Sequence, residues 1–142
     1  MSKTTLRIMI SLVGLLIAAG AFVTVLDTPR ADEFNDKELE RWQQEFMSVV
    51  EKGRALWVSA ELGTNGVACA QCHPNAANTH PETYPKFQQQ LGKVIALREM
   101  INWCLINPLE GKALPLDDPR MVAIEAYITY ERRGVPLEPG KH

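Results

Sequence analysis

The sequence predicts an all-α domain preceded by an N-terminal transmembrane helix. Three observations support this fold class. Apolar side chains recur every three or four residues in three segments of the 142-residue chain, which is the helical period. No segment shows the alternation of apolar and polar residues that is typical of strands. A run of 19 apolar, small or hydroxylated residues, Ile8 to Leu26, lies close to the N-terminus.

The N-terminal run is long enough to cross a bilayer. A membrane-spanning helix needs roughly 20 such residues, and Lys3 and Arg7 precede the run. Positive residues stay on the cytoplasmic side, so the rest of the chain is expected outside. A cleaved signal peptide is the alternative, because Ala-Gly-Ala at residues 19–21 offers a cleavage site. The length of the run favours an uncleaved anchor over residues 1–26, followed by a polar linker over residues 27–34.

The chain beyond the leader is mildly acidic. It holds 13 Lys and Arg residues and 17 Asp and Glu residues, a formal charge of −4. Nucleic-acid binding demands a basic surface, so no nucleic acid is expected as a partner. The charge fits a small protein that docks on its partners by weak electrostatic attraction.

The first helix of the domain is predicted to begin after Asn35. Asn35 can cap this helix, and Glu38 completes a capping-box pattern. Eight residues then recur at helical spacing and form one apolar stripe: Leu39, Trp42, Phe46, Val49, Val50, Gly53, Leu56 and Trp57. The missing side chain of Gly53 would let another helix approach this stripe closely.

The run Cys69 to His73, Cys-Ala-Gln-Cys-His, is the most informative stretch of the chain. Cys-x-x-Cys-His is the attachment signature of c-type haem, whose iron takes the adjoining histidine as its proximal ligand. A zinc site would need four ligands, and the chain has no second Cys-x-x-Cys or His-x-x-x-His pair. A thioredoxin-like dithiol would need a βαβ pattern, which is absent. The sequence therefore predicts one covalent haem c held by Cys69, Cys72 and His73.

Loops and two helices are predicted after the haem motif. Residues 74–85 form a loop, and a helical stretch follows from Pro85 or, at the latest, from Leu97, with an interruption near Gly92. Asn107-Pro108 ends this helix.

The last helix is predicted to begin with Asp118 as cap and Pro119 in its first turn, and to close at Gly134. Its buried side would carry Met121, Val122, Ile124, Ala126, Tyr127 and Ile128.

The order of the motifs resembles a known family. The helix with its glycine and aromatic stripe, the haem motif, the loops and the closing helix resemble class I cytochrome c over about residues 50–135. A narrower match to the haem domains of SoxA and thiosulfate dehydrogenase rests on five short runs: Asn65-Gly66, Tyr84-Pro85, Ile101-Asn102-x-Cys104, Gly111-Lys112-x-Leu114 and Ala126-Tyr127-Ile128. The resemblance implies a cytochrome c domain over residues 35–142.

The resemblance also gives the third cysteine a role. In that group the cysteine of the Ile-Asn-x-Cys run faces the haem and can be the distal iron ligand, which implies this role for Cys104. Those enzymes usually place an arginine directly before Ile-Asn, where it helps hold the anionic substrate. This chain has Met100 there, and Arg98 lies about 200° away round a helix. The chain also has one haem motif, whereas the thiosulfate enzymes usually work with two or more haems.

Four residues are candidates for the distal ligand. Cys104 is favoured by the resemblance, and Met100 lies one helical turn away on the same face. Met121 near the start of the last helix and His80 on the loop after the haem motif are the other two. The choice matters because a thioether ligand raises the reduction potential of a haem and a thiolate lowers it.

The sequence favours electron transfer as the function. A membrane-anchored monohaem cytochrome would carry electrons between an exported dehydrogenase or membrane redox complex and another carrier, with its haem domain on the periplasmic side of the inner membrane. Two protein ligands on the iron would leave no position for a substrate, which suits a carrier more than a stand-alone enzyme. The alternative is a SoxA-like or thiosulfate dehydrogenase-like haem subunit that acts on thiosulfate or related sulfur anions through Cys104. A third hypothesis is a structural or assembly subunit.

Overall fold

The computed structural model describes residues 34–136, and this part of the chain is mostly helical. Its helices are α1 (Asp36–Val58), α2 (Cys69–Cys72), α3 (Leu97–Ile106) and α4 (Pro119–Glu131). Two 3₁₀ segments, Pro74–Ala76 and Pro81–Thr83, follow α2. Strands β1 (Lys86–Gln88) and β2 (Lys93–Ile95) pair in an antiparallel hairpin before α3.

No helix within residues 34–136 is both long enough and apolar enough to cross a bilayer. The transmembrane helix predicted for residues 1–26 lies outside the described residues and stays a prediction.

Helix α1 begins as its sequence predicts. The side chain of Asn35 accepts a hydrogen bond from the Glu38 backbone N–H at 3.1 Å, and the Glu38 carboxylate accepts one from the Asn35 N–H at 3.3 Å. The predicted apolar stripe is buried only in its second half, because Leu39 and Trp42 remain 48% and 41% exposed. Burial of the stripe begins at Phe46, whose ring contacts that of Tyr130 in the last turn of α4.

Helices α1 and α4 cross at Gly53, and the close approach predicted there is confirmed. A Cβ atom on Gly53 would overlap the carbonyl oxygen of Ala123 and would lie 2.8 Å from the Cβ of Tyr127. Ala123, Ile124, Tyr127 and Ile128 of α4 are all at least 97% buried. A side chain at position 53 would therefore push the two helices apart.

The hairpin corrects the prediction of an all-α domain. Residues 85–96 do not form a helix: Lys86 pairs with Ile95, Phe87 with Val94, and Gln88 with Lys93. Pro85 has no N–H to donate to a helix. Gly92 adopts a φ of +65°, which is incompatible with a continuous helix and forms the turn between the strands. The β-branched pair at 94–95 suits an extended backbone.

Helix α4 also begins as predicted. The carboxylate of Asp118 accepts a hydrogen bond from the Arg120 N–H at 2.8 Å, and Pro119 occupies the first turn. The helix ends at Glu131, and Gly134 follows in a turn with a φ of +71°. Val122, which was expected to be buried, is 37% exposed.

We predict that Gly53→Ala destabilises the domain despite the better helix propensity of alanine. Overpacking a tight contact costs about 1–3 kcal/mol, and the upper end applies here because the added methyl group meets backbone atoms of Ala123. The better helix propensity of alanine offsets only about 1 kcal/mol. Urea unfolding of the haem-loaded protein should therefore show a lower free energy of unfolding. Glu51→Ala, at an exposed position of the same helix, is the control and should change little. A G53A protein as stable as the wild type would contradict the close crossing.

Candidate haem-binding site

The haem motif forms a single helical turn, α2, directly after an ordered loop. The side chain of Gln71 accepts a hydrogen bond from the Ala68 N–H at 3.1 Å, and the His73 N–H donates to the Cys69 carbonyl at 2.9 Å. Cys69 and Cys72 stand three residues apart on this turn and so lie on one face. The turn thus presents both predicted thioether positions to the same side.

His73 is held in place from two directions. Its Nδ1 lies 2.9 Å from the carbonyl oxygen of Ala77, and its own carbonyl accepts a hydrogen bond from Trp57 Nε1 at 2.9 Å. Because a carbonyl oxygen can only accept, Nδ1 carries a proton, and Nε2 is the ring nitrogen left to face a metal. A histidine that ligates a metal almost always has such a partner on its other ring nitrogen. His73 therefore has the tautomer that a proximal ligand needs.

A cavity of about 440 Å³ opens beside this histidine. Its apolar wall comes from several elements, with Trp57 from α1, Ile101 and Leu105 from α3, and Ile128 from α4 among its members. This volume falls in the range of about 300–1,000 Å³ that is typical of ligand and cofactor sites.

The structure brings five of the predicted site residues to this cavity. Cys69, Cys72, His73, Met100 and Cys104 all line it.

The other two candidates for the distal ligand do not line the cavity. Met121 is fully buried in the core between the helices. His80 is 92% buried, and its Nδ1 lies 3.3 Å from a carboxylate oxygen of Glu82. Among the predicted candidates, Cys104 and Met100 are thus the ones that the fold places at the cavity.

Burial makes Cys104 a weak acid. It raises the pKa of the Cys104 thiol to about 11. A thiol with so high a pKa stays protonated at neutral pH unless a metal ion coordinates its sulfur.

Asn102 joins two of the short runs that the sequence places 12 residues apart. Its side-chain N–H donates to the Leu114 carbonyl at 2.9 Å, and its side-chain oxygen accepts from the Leu114 N–H at 2.8 Å. The loop tethered in this way begins with Pro108 and Leu109, both of which line the cavity. Asn102 therefore closes this loop over α3.

The first strand and the residue Tyr84 before it contribute polar side chains whose place at the cavity sequence reasoning missed. Tyr84, Lys86 and Gln88 line the cavity, and the hydroxyl of Tyr84 accepts a hydrogen bond from Gln88 Nε2 at 2.9 Å. These residues can be assigned to the cavity only once the hairpin is known. The signals for it were Pro85 and Gly92 on either side of a possible first strand.

The residues present fit a covalently attached haem. Two cysteines on one face, a histidine with its Nδ1–H already engaged, and an apolar cavity beside them meet the chemical requirements of that group. Together with the mostly helical fold, they define a c-type cytochrome domain.

The comparison with protein families names the family. The model of the SoxA/TsdA cytochrome c domain matches residues 52–137, which is more than half of the chain. The chain belongs to this family, and it binds one haem c covalently.

Two curated relatives are similar in sequence. The chain is 33% identical over 113 residues to the L-cysteine S-thiosulfotransferase subunit SoxA of Rhodovulum sulfidophilum, covering 78% of this chain and 39% of the relative. It is 33% identical over 85 residues to thiosulfate dehydrogenase of Allochromatium vinosum, covering 51% of this chain and 32% of the relative. The chain thus spans well under half the length of either relative.

A solved structure supports the fold. The crystal structure of SoxXA from P. pantotrophus matches with a TM-score of 0.61 at 23% identity, over 72% of this chain and 40% of that one.

We predict that Asn102→Ala loosens the loop that carries Leu114. Removing both hydrogen bonds leaves two partly buried backbone groups without their partner, which should lower the free energy of unfolding by about 1–3 kcal/mol. Denaturant unfolding of the haem-loaded protein measures this loss. Asn107→Ala is the control, because its side chain makes one exposed hydrogen bond, to the Trp103 carbonyl. Equal losses in the two variants would contradict the role of Asn102.

Proposed function

We propose that this chain is the haem subunit of an exported system that oxidises thiosulfate or a related sulfur anion, with the reaction at Cys104. The observation that carries this proposal is the position of Cys104 in the cavity that also holds Cys69, Cys72 and His73. The activities named for the two relatives, a thiosulfotransferase subunit and a thiosulfate dehydrogenase, support a sulfur anion as the substrate class. They support this alternative better than the electron carrier that the sequence favoured.

The site residues divide into two groups in this proposal. Cys69 and Cys72 attach the haem through thioethers, and His73 is the proximal iron ligand. Cys104 would supply a second ligand to the iron, and its sulfur would also react with the substrate. The leader and the haem motif support a location outside the inner membrane, with the domain on the periplasmic side.

The chemistry at Cys104 requires a redox partner. Joining the Cys104 thiolate sulfur to the outer sulfur of thiosulfate would form one S–S bond and give up two electrons. A second thiosulfate that attacks this outer sulfur would then release tetrathionate and return the Cys104 thiolate. Haem c, when bound, supplies a one-electron acceptor. Turnover at a single haem therefore needs a second one-electron acceptor, which in this proposal is another redox protein.

Electron transfer alone is the second candidate function, and Met100 favours it. Met100 lines the cavity at the position where the thiosulfate enzymes usually have an arginine. A methionine there cannot hold an anion, and it could instead ligate the iron and raise its potential. In that case the protein passes electrons between an exported or membrane-bound donor and another carrier.

We predict that Cys104→Ala changes the distal ligation of the haem. Low-temperature EPR and optical spectra of the oxidised wild type should be those of a low-spin haem with a thiolate ligand, and the C104A variant should lose them. Met100→Leu is the control, because it removes the competing sulfur from the same face of α3 and should leave the spectra unchanged. Loss of the low-spin signal in M100L with its retention in C104A would assign the ligand to Met100.

We predict that thiosulfate reduces the haem of the wild type and fails to reduce that of Cys104→Met. Removing a residue that bonds covalently to substrate should slow the reaction by at least about 10³-fold. The growth of the reduced absorption band after mixing with thiosulfate measures the rate. Reduction of both proteins by dithionite is the control for an intact haem. A C104M protein that thiosulfate reduces as fast as the wild type would leave electron transfer as the function.

A further inference from the structure

The cavity carries positive charge at one place. Of the described residues that line it, Lys86 is the one lysine or arginine, and none is an aspartate or a glutamate. The remaining polar members include Asn78, Gln88 and Gln90, whose amides can donate hydrogen bonds. Such a lining attracts an anion and has no carboxylate to repel it.

The hairpin directs Lys86 towards the cavity. Side chains alternate along a strand, so Lys86 and Gln88 share one face, and both line the cavity. Phe87 between them is 61% exposed. The pairing of Lys86 with Ile95, which is 99% buried, fixes the register of the two strands.

Tyr84 holds the ammonium group of Lys86 at the cavity. Lys86 Nζ lies 4.6 Å from the centroid of the Tyr84 ring, a cation–π contact that keeps the charge near this wall. Tyr84 lines the same cavity as Cys104. Its oxygen already accepts from Gln88, so its O–H remains a donor for a further acceptor.

Two basic side chains that follow Lys86 in the chain, Lys93 and Arg98, are already paired. Arg98 binds the Glu125 carboxylate through two nitrogens, at 2.6 and 2.8 Å, and the Leu116 carbonyl through a third. Lys93 binds Glu99 at 3.1 Å. Lys86 takes part in none of the ion pairs of the described residues.

We propose that Lys86 and the hydroxyl of Tyr84 form an oxyanion subsite of the haem cavity, which binds the sulfonate oxygens of a thiosulfate-class anion beside Cys104. This proposal rests on the proposed function, because it names the residues that hold the substrate of that reaction. The positive charge comes from the hairpin and not from α3, where Met100 occupies the position before Ile101. Lys86 is a positioning and binding residue here, and the sulfur chemistry stays at Cys104.

The test compares haem-loaded wild type with Lys86→Gln, Lys86→Arg and, as the matched control, Lys93→Gln on the second strand. Sulfate serves as a redox-inert probe of anion binding, and calorimetry gives its dissociation constant. Steady-state rates with thiosulfate as the substrate give kcat and KM. Losing a charge-assisted hydrogen bond should raise the sulfate dissociation constant and the KM of K86Q by about 10- to 100-fold, with kcat changed far less. K86R should retain most of the affinity, and K93Q should match the wild type.

The possible failures separate the subsite from the proposed function. An unchanged sulfate dissociation constant and KM in K86Q would overturn the subsite, even if thiosulfate reduces the haem. If K86Q loses sulfate binding and thiosulfate does not reduce the haem of the wild type, the subsite is supported and the proposed function is overturned. A third anion, a haem propionate, can compete for the same lysine. If K86Q shifts the reduction potential and its pH dependence but leaves sulfate affinity unchanged, Lys86 pairs with the propionate and the subsite is overturned.

Discussion

The indole of Trp57 connects the helix crossing to the haem motif, and the rest of the site depends on this connection. Its ring packs on Tyr127 of α4 with centroids 5.7 Å apart, close to the point where the backbone of Ala123 contacts Gly53. Its N–H donates to the carbonyl of His73. The position of His73 is therefore set by the packing of α1 on α4, while the hydrogen bond to the Ala77 carbonyl sets the rotation of its ring.

The features predictable from sequence are those encoded by neighbours in the chain. The caps at Asn35 and Asp118 and the end of α3 at Asn107 depend on residues within one helical turn. Gly53 was predictable because it interrupts an apolar stripe. The hairpin was not, since its strands have three residues each and their pairing depends on burial of Ile95 in the core. The exposure of Leu39 and Trp42 depends on where the partner helix ends, which periodicity does not contain.

The candidate site shows the same division between local and long-range information. Spacing alone places Cys69, Cys72 and His73 on one turn, and it places Met100 and Cys104 on one face of α3. That these two sets of residues line a single cavity is a property of the fold. The sequence also did not predict that Asn102 binds Leu114, or that Lys86 and Tyr84 meet at the cavity. Both arrangements need loops or strands whose paths are set by distant contacts.

The two sides of the cavity are supported by different kinds of interaction. The side that carries His73 rests on the tightly packed crossing of α1 and α4, where a single methyl group has no room. Helix α3 buries Ile101 and Leu105 in the core and adds polar contacts, Arg98 with Glu125 and Asn102 with Leu114. Met100 and Cys104 line the cavity from α3 and are only partly buried, whereas Ile101 and Leu105 of the same helix belong to the core. Of these four positions, 100 and 104 are therefore the two at which the surroundings of a bound cofactor can change with the least effect on the packing of the helices.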